Sequence, residues 1–362
     1  MLYWLLVPLS SDFFLFNVFS YITVRTAAAG ITALLMSFLF GPKLIRLLER
    51  RQIGQEIRSD GPKTHFAKKG TPSMGGLLII LCTLVPALLW GDLANTYVWV
   101  AILSMVFFGL VGLVDDVLKV RRKQSLGLRP WQKMALQVGL ATVVGLVFIW
   151  MSSRGEFSLV LYFPFLKKWL PVLGWFYLPW IVFILVGSSN AVNLADGLDG
   201  LAIGLTLISA TALTALTYVA GHARWSEYLS IARVPQAAEL TVFVGAFAGA
   251  CLGFLWYNCH PAQVFMGDVG ALSLGGTMAV IALLIKQEFL LFAVAGVFIL
   301  EALSVLLQVS YFKVSGGKRI FKMAPLHHHF ELSGWPEERV VIRFWILGII
   351  FALFSLSTLK LR

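Results

Sequence analysis

Four acid or amide side chains recur at every third position in Asn190-Ala-Val-Asn193-Leu-Ala-Asp196-Gly-Leu-Asp199-Gly200, directly at the end of an apolar run. Their oxygens are hard ligands of the kind that Mg²⁺ and phosphate chemistry need. Gly197 and Gly200 let the backbone turn there and approach a ligand closely. Carboxylates at the edge of a bilayer-like run are costly unless they are used, so the stretch reads as a binding site for something charged.

Other constellations carry the same chemistry. In Asp115-Asp116-Val-Leu-Lys119 the lysine falls four and three residues after the two acids, so on a helix both carboxylates can lie near its ammonium. Adjacent acids point roughly 100° apart, which would let one hold a metal while the other faces a substrate. A helix-end salt-bridge cluster is the ordinary alternative. Phe265-Met-Gly267-Asp268 opens another apolar run. Its aspartate could be a helix cap, and its phenylalanine could stack on a nucleobase. Asn258 and His260 precede it as loop or cap residues. In Ala324-Pro-Leu-His327-His328-His329-Phe330-Glu331, three consecutive imidazoles cannot all face one ion. Contacts from one or two of them to phosphate or hydroxyl groups fit better than zinc, which lacks the ligand spacing it needs. The basic, glycine-containing stretch Gly61–Gly76, with Lys63, Lys68 and Lys69, resembles an anion-binding loop feeding a helix N-terminus, but it lacks the Walker A order. A basic interfacial loop is the alternative. Glu301 and Gln308 lie seven residues apart on one face of an apolar run, either lining a cavity or bonding neighbouring helices.

The elements that must position these residues are membrane helices. Of 362 residues 59% are hydrophobic and 13% charged, against about 25% charged in soluble domains. Apolar runs of spanning length fall near 20–41, 73–90, 97–115, 131–151, 172–190, 200–220, 237–257, 270–285, 289–311 and 340–359. Residues 1–19 read as an interfacial lead-in without the basic start of a cleavable signal. The three cysteines are scattered and suggest neither disulfides nor zinc. The expected fold is therefore an all-α integral membrane protein, one polytopic domain of about ten transmembrane helices.

The net charge of +11 is not a nucleic-acid signature, because it gathers in three loops that follow the first, third and ninth spans. Under the positive-inside rule these loops are cytoplasmic, both termini are periplasmic, and the active site lies on the cytoplasmic face. The cytoplasmic loops are then 42–72, 116–130, 191–199, 258–269 and 312–339, and they hold nearly every unusual polar residue. A transporter would place such groups in broken helices near the midplane, and a scaffold has no use for them.

Taken in order, these motifs resemble the polyprenyl-phosphate N-acetylhexosamine-1-phosphate transferase superfamily from about Gly61 to the tenth span. The His327–Glu331 motif with Gly334-Trp335 looks like its muramoyl-pentapeptide branch. The resemblance implies transfer of phospho-N-acetylmuramoyl-pentapeptide from UDP-N-acetylmuramoyl-pentapeptide to undecaprenyl phosphate, giving lipid I and UMP. It also implies Mg²⁺, ten helices, a homodimer and the bacterial cytoplasmic membrane. By the same resemblance Asp268 holds the metal, with Asp115, Asp116 and Asp199 around the reacting phosphates. Lys119 neutralises phosphate charge, and Lys68, Asp196, Asn258 and Phe265 serve the nucleoside side. His327 and His328 contact the sugar-phosphate region, and Asn190, Asn193 and Gln308 complete the substrate-binding set. A lipid phosphomonoester is largely dianionic at pH 7, which favours direct attack on the pyrophosphate over an aspartyl phospho-enzyme. Transfer of another UDP-N-acetylhexosamine is the nearest alternative.

Overall fold

An apolar segment in lipid must satisfy its own backbone, and only the helix does so within one segment. The structure, a computed structural model that describes residues 1–11, 14–51, 70–124, 126–166 and 169–361, accordingly is helical. Its long helices are α1 (Ile22–Arg50), α2 (Gly76–Trp90), α3 (Thr96–Arg122), α4 (Pro130–Ser153), α5 (Tyr177–Ala195), α6 (Leu201–Gly221), α7 (Ala237–Asn258), α8 (Gly267–Leu284), α9 (Gly296–Val314) and α10 (Glu337–Ser357). Among the described residues, Val160 and Val172 form an isolated antiparallel bridge.

Nine helices among the described residues are long and apolar enough to cross a membrane. The exception is α2, whose fifteen residues cover roughly 22 Å at the helical rise, less than the ~30 Å hydrocarbon core. The expected span at 73–90 is thus shorter than read. The expected continuous span at 289–311 is also corrected: a short helix, Glu288–Val294, stops at Ala295 before α9 begins. At the other extreme α3 has 27 residues, about 40 Å, so its last turns run beyond an apolar core. Residues 116–122, expected in a loop, belong to it. The N-terminal lead-in is a helix, Leu2–Leu6, and two 3₁₀ segments. It docks on the end of α2, where the Met1 ammonium donates to the Leu88 carbonyl at 2.7 Å and Phe19 stacks on Trp90.

Helix α8 is the centre of the bundle, buried at every residue from Val269 to Leu284. Small residues make this possible by letting neighbouring backbones approach. A Cβ at Gly76 would fall 2.3 Å from the Gly270 backbone, and one at Gly275 would fall 2.5 Å from the Ser188 carbonyl. The critical approach is Gly112 on α3, where a Cβ would lie 2.2 Å from the Asp268 carbonyl oxygen. That crossing brings the end of α3 against the start of α8.

Consecutive long helices run up and down, so two ends are defined by their contacts. One end collects the C-termini of α3, α5 and α7 with the starts of α4, α8 and α10, together with the basic loops after α3 and α9. At the opposite end Arg25 forms a bidentate pair with Glu239 at 2.6 and 2.7 Å. At the same end of the bundle, the Lys286 ammonium lies 3.0 Å from Glu288 and 2.6 Å from the Tyr177 hydroxyl.

Candidate active site

The end of α3 carries Asp115 and Asp116, both buried. Each has one oxygen committed to backbone. Asp115 Oδ1 accepts from Leu128 N at 2.7 Å, fastening the α3–α4 loop. Asp116 Oδ2 accepts from Val269 N at 3.0 Å, one of the free donors at the N-terminus of α8. The other oxygens turn to one cation: Lys119 Nζ lies 2.6 Å from Asp115 Oδ2 and 3.4 Å from Asp116 Oδ1. The two acids therefore converge, whereas their roughly 100° separation on the helix had suggested separate tasks.

Asp268 completes the group from the first turn of α8, where the helix dipole favours an anion. It does not cap its own helix; Asp116 supplies that bond. Asp268 Oδ2 instead accepts from Lys119 and from Lys133, both at 2.8 Å, and its Oδ1 accepts from Asn193 Nδ2 at 2.6 Å. Lys133, on the first turn of α4, also reaches Asn193 Oδ1 at 3.3 Å. Its sequence context marks it only as one of the loop charges. Gly267 has a left-handed φ of +71°, and a Cβ there would sit 2.6 Å from Asp116 Oδ2. Glycine is needed on both counts.

Helix α5 runs to Ala195, so Asn190 and Asn193 are helical and Asp196 begins a turn. Asn190 Nδ2 donates to buried Gln137 and to the Val186 carbonyl, both at 2.8 Å. Asp196 has no hydrogen-bond partner among the described residues. Burial, then the carboxylates of Asp268, Asp116 and Asp199, push its pKa up to about 8. The rest of the turn is fastened from three sides. Asp199 N donates to Glu337 at 2.8 Å, Gly200 N donates to Asn258 Oδ1 at 3.1 Å, and Trp345 donates to the Gly200 carbonyl. Asp199 Oδ2 lies 3.1 Å from His260 Nδ1 and accepts from Ala262 N at 3.1 Å. Glu337 and Glu338 flank the same imidazole at 3.7 and 3.3 Å.

The remaining expected residues fall around this core. Asn258 uses its carboxamide on backbone, donating to the Val264 carbonyl at 2.9 Å as well as accepting from Gly200. Gln308 accepts from Ile320 N and Phe321 N at 3.1 and 2.9 Å, holding the α9–α10 loop. Phe265 is half-buried, its backbone bonded to Pro72 and Gly75. His327 is buried beneath Gly197, and His328 lies 2.8 Å from Glu331. Lys68 lies outside the described residues.

What the arrangement can do follows from its donor set. Candidate ligand oxygens of Asp115, Asp116 and Asp268 lie within 4.8 Å of one another, are all carboxylate, and already converge on a cation, the Lys119 ammonium. This suits a hard oxygen-seeking ion such as Mg²⁺. Two lysines beside it can neutralise phosphate oxygens.

The comparisons with known proteins identify the chain's relatives. Residues 98–286 match the model of glycosyl transferase family 4, and residues 68–80 match signature 1 of the phospho-N-acetylmuramoyl-pentapeptide-transferases. Phospho-N-acetylmuramoyl-pentapeptide-transferases of Koribacter versatilis, Thermodesulfovibrio yellowstonii and Geobacter sp. (strain M21) are 52, 53 and 54% identical to it, each over the whole of both chains. Identity at that level from end to end leaves one conclusion: the chain belongs to the phospho-N-acetylmuramoyl-pentapeptide-transferase family.

Proposed function

We propose that this protein transfers phospho-N-acetylmuramoyl-pentapeptide from its UDP carrier to undecaprenyl phosphate, releasing UMP and forming lipid I. The observation that carries the reading is the convergence of Asp115, Asp116 and Asp268 on Lys119, with Lys133 beside them, at the helix end that bears the basic loops. The reaction joins two anions, so its catalyst must position phosphates and offset their charge. Asp115, Asp116 and Asp268 would hold Mg²⁺, which when bound relieves the pyrophosphate's charge and helps UMP leave. Lys119, 31% exposed, is the cation free to turn from the carboxylates to a phosphate oxygen. Lys133 and Asn193 fix the Asp268 carboxylate. The Asp196 turn and Phe265 line the approach for the nucleoside. The lipid phosphate, already a dianion, attacks directly, and the aspartates serve as ligands.

On this reading the site end is cytoplasmic, the termini are periplasmic, and the protein works as a homodimer in the bacterial cytoplasmic membrane. Positive-inside charge placement supports the orientation. Purified protein given undecaprenyl phosphate, Mg²⁺ and either UDP-N-acetylmuramoyl-pentapeptide or UDP-N-acetylglucosamine should release UMP with the first only. Release with the second alone would move the assignment to the other sugar. A radiolabelled phospho-enzyme trapped without lipid acceptor would overturn direct attack.

A further inference from the structure

Three polar atoms of one contact are buried and without a hydrogen-bond partner among the described residues: Glu301 Oε2, His327 Nδ1 and His327 Nε2. Both side chains are wholly buried. Such atoms are destabilising where they stand, so a pair of them facing each other asks for an explanation. Glu301 Oε1 accepts from the His327 backbone N–H at 3.2 Å, which fixes the start of the Leu326–Glu331 helix against α9. Its Oε2 lies 3.3 Å from Nδ1 of the same histidine but misaligned for a hydrogen bond. On the far side of the ring, Nε2 faces Gly197, where a Cβ would sit only 2.3 Å away. The imidazole therefore has a carboxylate behind it and the Asp196–Gly197 turn in front.

We infer that Glu301 is a positioning residue for His327. It holds the proton on Nδ1 and keeps Nε2 unpaired at the Asp196–Gly197 turn, ready for a hydroxyl or phosphate oxygen of the bound sugar-phosphate. The inference rests on the transferase reading above for the identity of that ligand. A carboxylate behind an imidazole selects the tautomer and the ring orientation, and such contacts are often misaligned before substrate binds and tighten afterwards. A slight ring rotation aligns Nδ1–H with Oε2. With the proton held there, Nε2 accepts a hydrogen bond from a hydroxyl when the ring is neutral and donates to a phosphate oxygen when it is protonated. Glycine at 197 is what lets the imidazole pack this close to the turn.

Glu301→Gln separates positioning from packing. Its amide oxygen can still accept from the His327 backbone, while its NH₂ then faces Nδ1 and drives the ring proton to Nε2. In ¹⁵N-histidine-labelled protein, with His327 assigned by difference from His327→Gln, the wild type should show a protonated Nδ1, and Glu301→Gln a protonated Nε2. UDP-N-acetylmuramoyl-pentapeptide added without lipid acceptor should shift wild-type Nε2 and leave Nδ1 protonated. The kcat for UMP release should fall about 10- to 100-fold in Glu301→Gln, by analogy with the loss of partners that orient metal-bound histidines, with KM little changed. Glu301→Asp should recover part of it. Gly197→Ala should give the same kcat loss by crowding Nε2. A wild-type ring protonated on Nε2, or full kcat in Glu301→Gln, would overturn the inference. The tautomer is read without turnover, so a protein inactive as a transferase would sink the functional reading while leaving this test intact.

Discussion

The molecule buries ionic groups at both ends of its bundle, but in two different ways. At the far end one ammonium, Lys286, meets one carboxylate, Glu288, and also donates to the Tyr177 hydroxyl. Phe157 and Tyr177 lie under the cation at 4.6 and 4.3 Å, and both charged side chains are all but inaccessible. That group is balanced and closed. At the site end three carboxylates share two lysines, and Lys119 is open to solvent on one side. An excess of acid beside an opening is a demand for another cation; a matched pair under aromatic rings is a fastening.

Three experiments bear on this contrast. The largest effect should come from Lys286→Met, which leaves Glu288 buried without its partner. Removing one member of a buried pair costs about 3–5 kcal/mol, so denaturation in detergent should show a loss of that order with UMP release per folded molecule unchanged. Activity lost at unchanged stability would erase the distinction between the two ends. Asp268→Asn should do the reverse. UMP release should drop at least about 10²-fold, the usual cost of one electrostatic contact to a reacting group, while the melting temperature hardly moves. Retained activity would remove Asp268 from the chemistry.

The third experiment concerns Asp196. Its carboxyl is raised from 3.8 to about 8 by burial and by its acidic neighbours. A raised acid stabilises the fold in its protonated form. That contribution is complete below about pH 4 and is lost as the pH rises through about 8. Asp196→Asn should therefore flatten the decline in melting temperature between pH 5 and pH 9. An unaltered slope would mean that the site end is less crowded with negative charge than its geometry indicates.

Much of the fold was legible because hydropathy and loop charge are local properties. Every expected run is helical over most of its length, and nearly all the polar residues singled out among the described ones share one end. The break at Ala295 was hidden in a uniformly apolar stretch, Leu290 to Leu300 with one glycine, where hydropathy has no contrast to offer. At the site, Asp115, Asp116, Lys119, Asn193 and Asp268 could be picked out because acids and amides are rare beside apolar runs. Lys133 could not, since a lysine in a basic loop looks like any other until α4 carries it to Asp268. The Glu301 contact to His327 joins residues far apart in sequence, and only packing decides which imidazole of three meets it. Asn258 and Gln308 also hold backbone: Asn258 Oδ1 accepts from Gly200 N and Gln308 Oε1 from Ile320 N, contacts that only packing reveals.

The bond from Val269 N to Asp116 Oδ2 limits how the enzyme can move. Because α3 supplies the N-terminal cap of α8 while Gly112 lies against the Asp268 carbonyl, neither helix can slide without breaking the cap or colliding with the other. The pair thus resists any slide that would change the spacing among the three carboxylates.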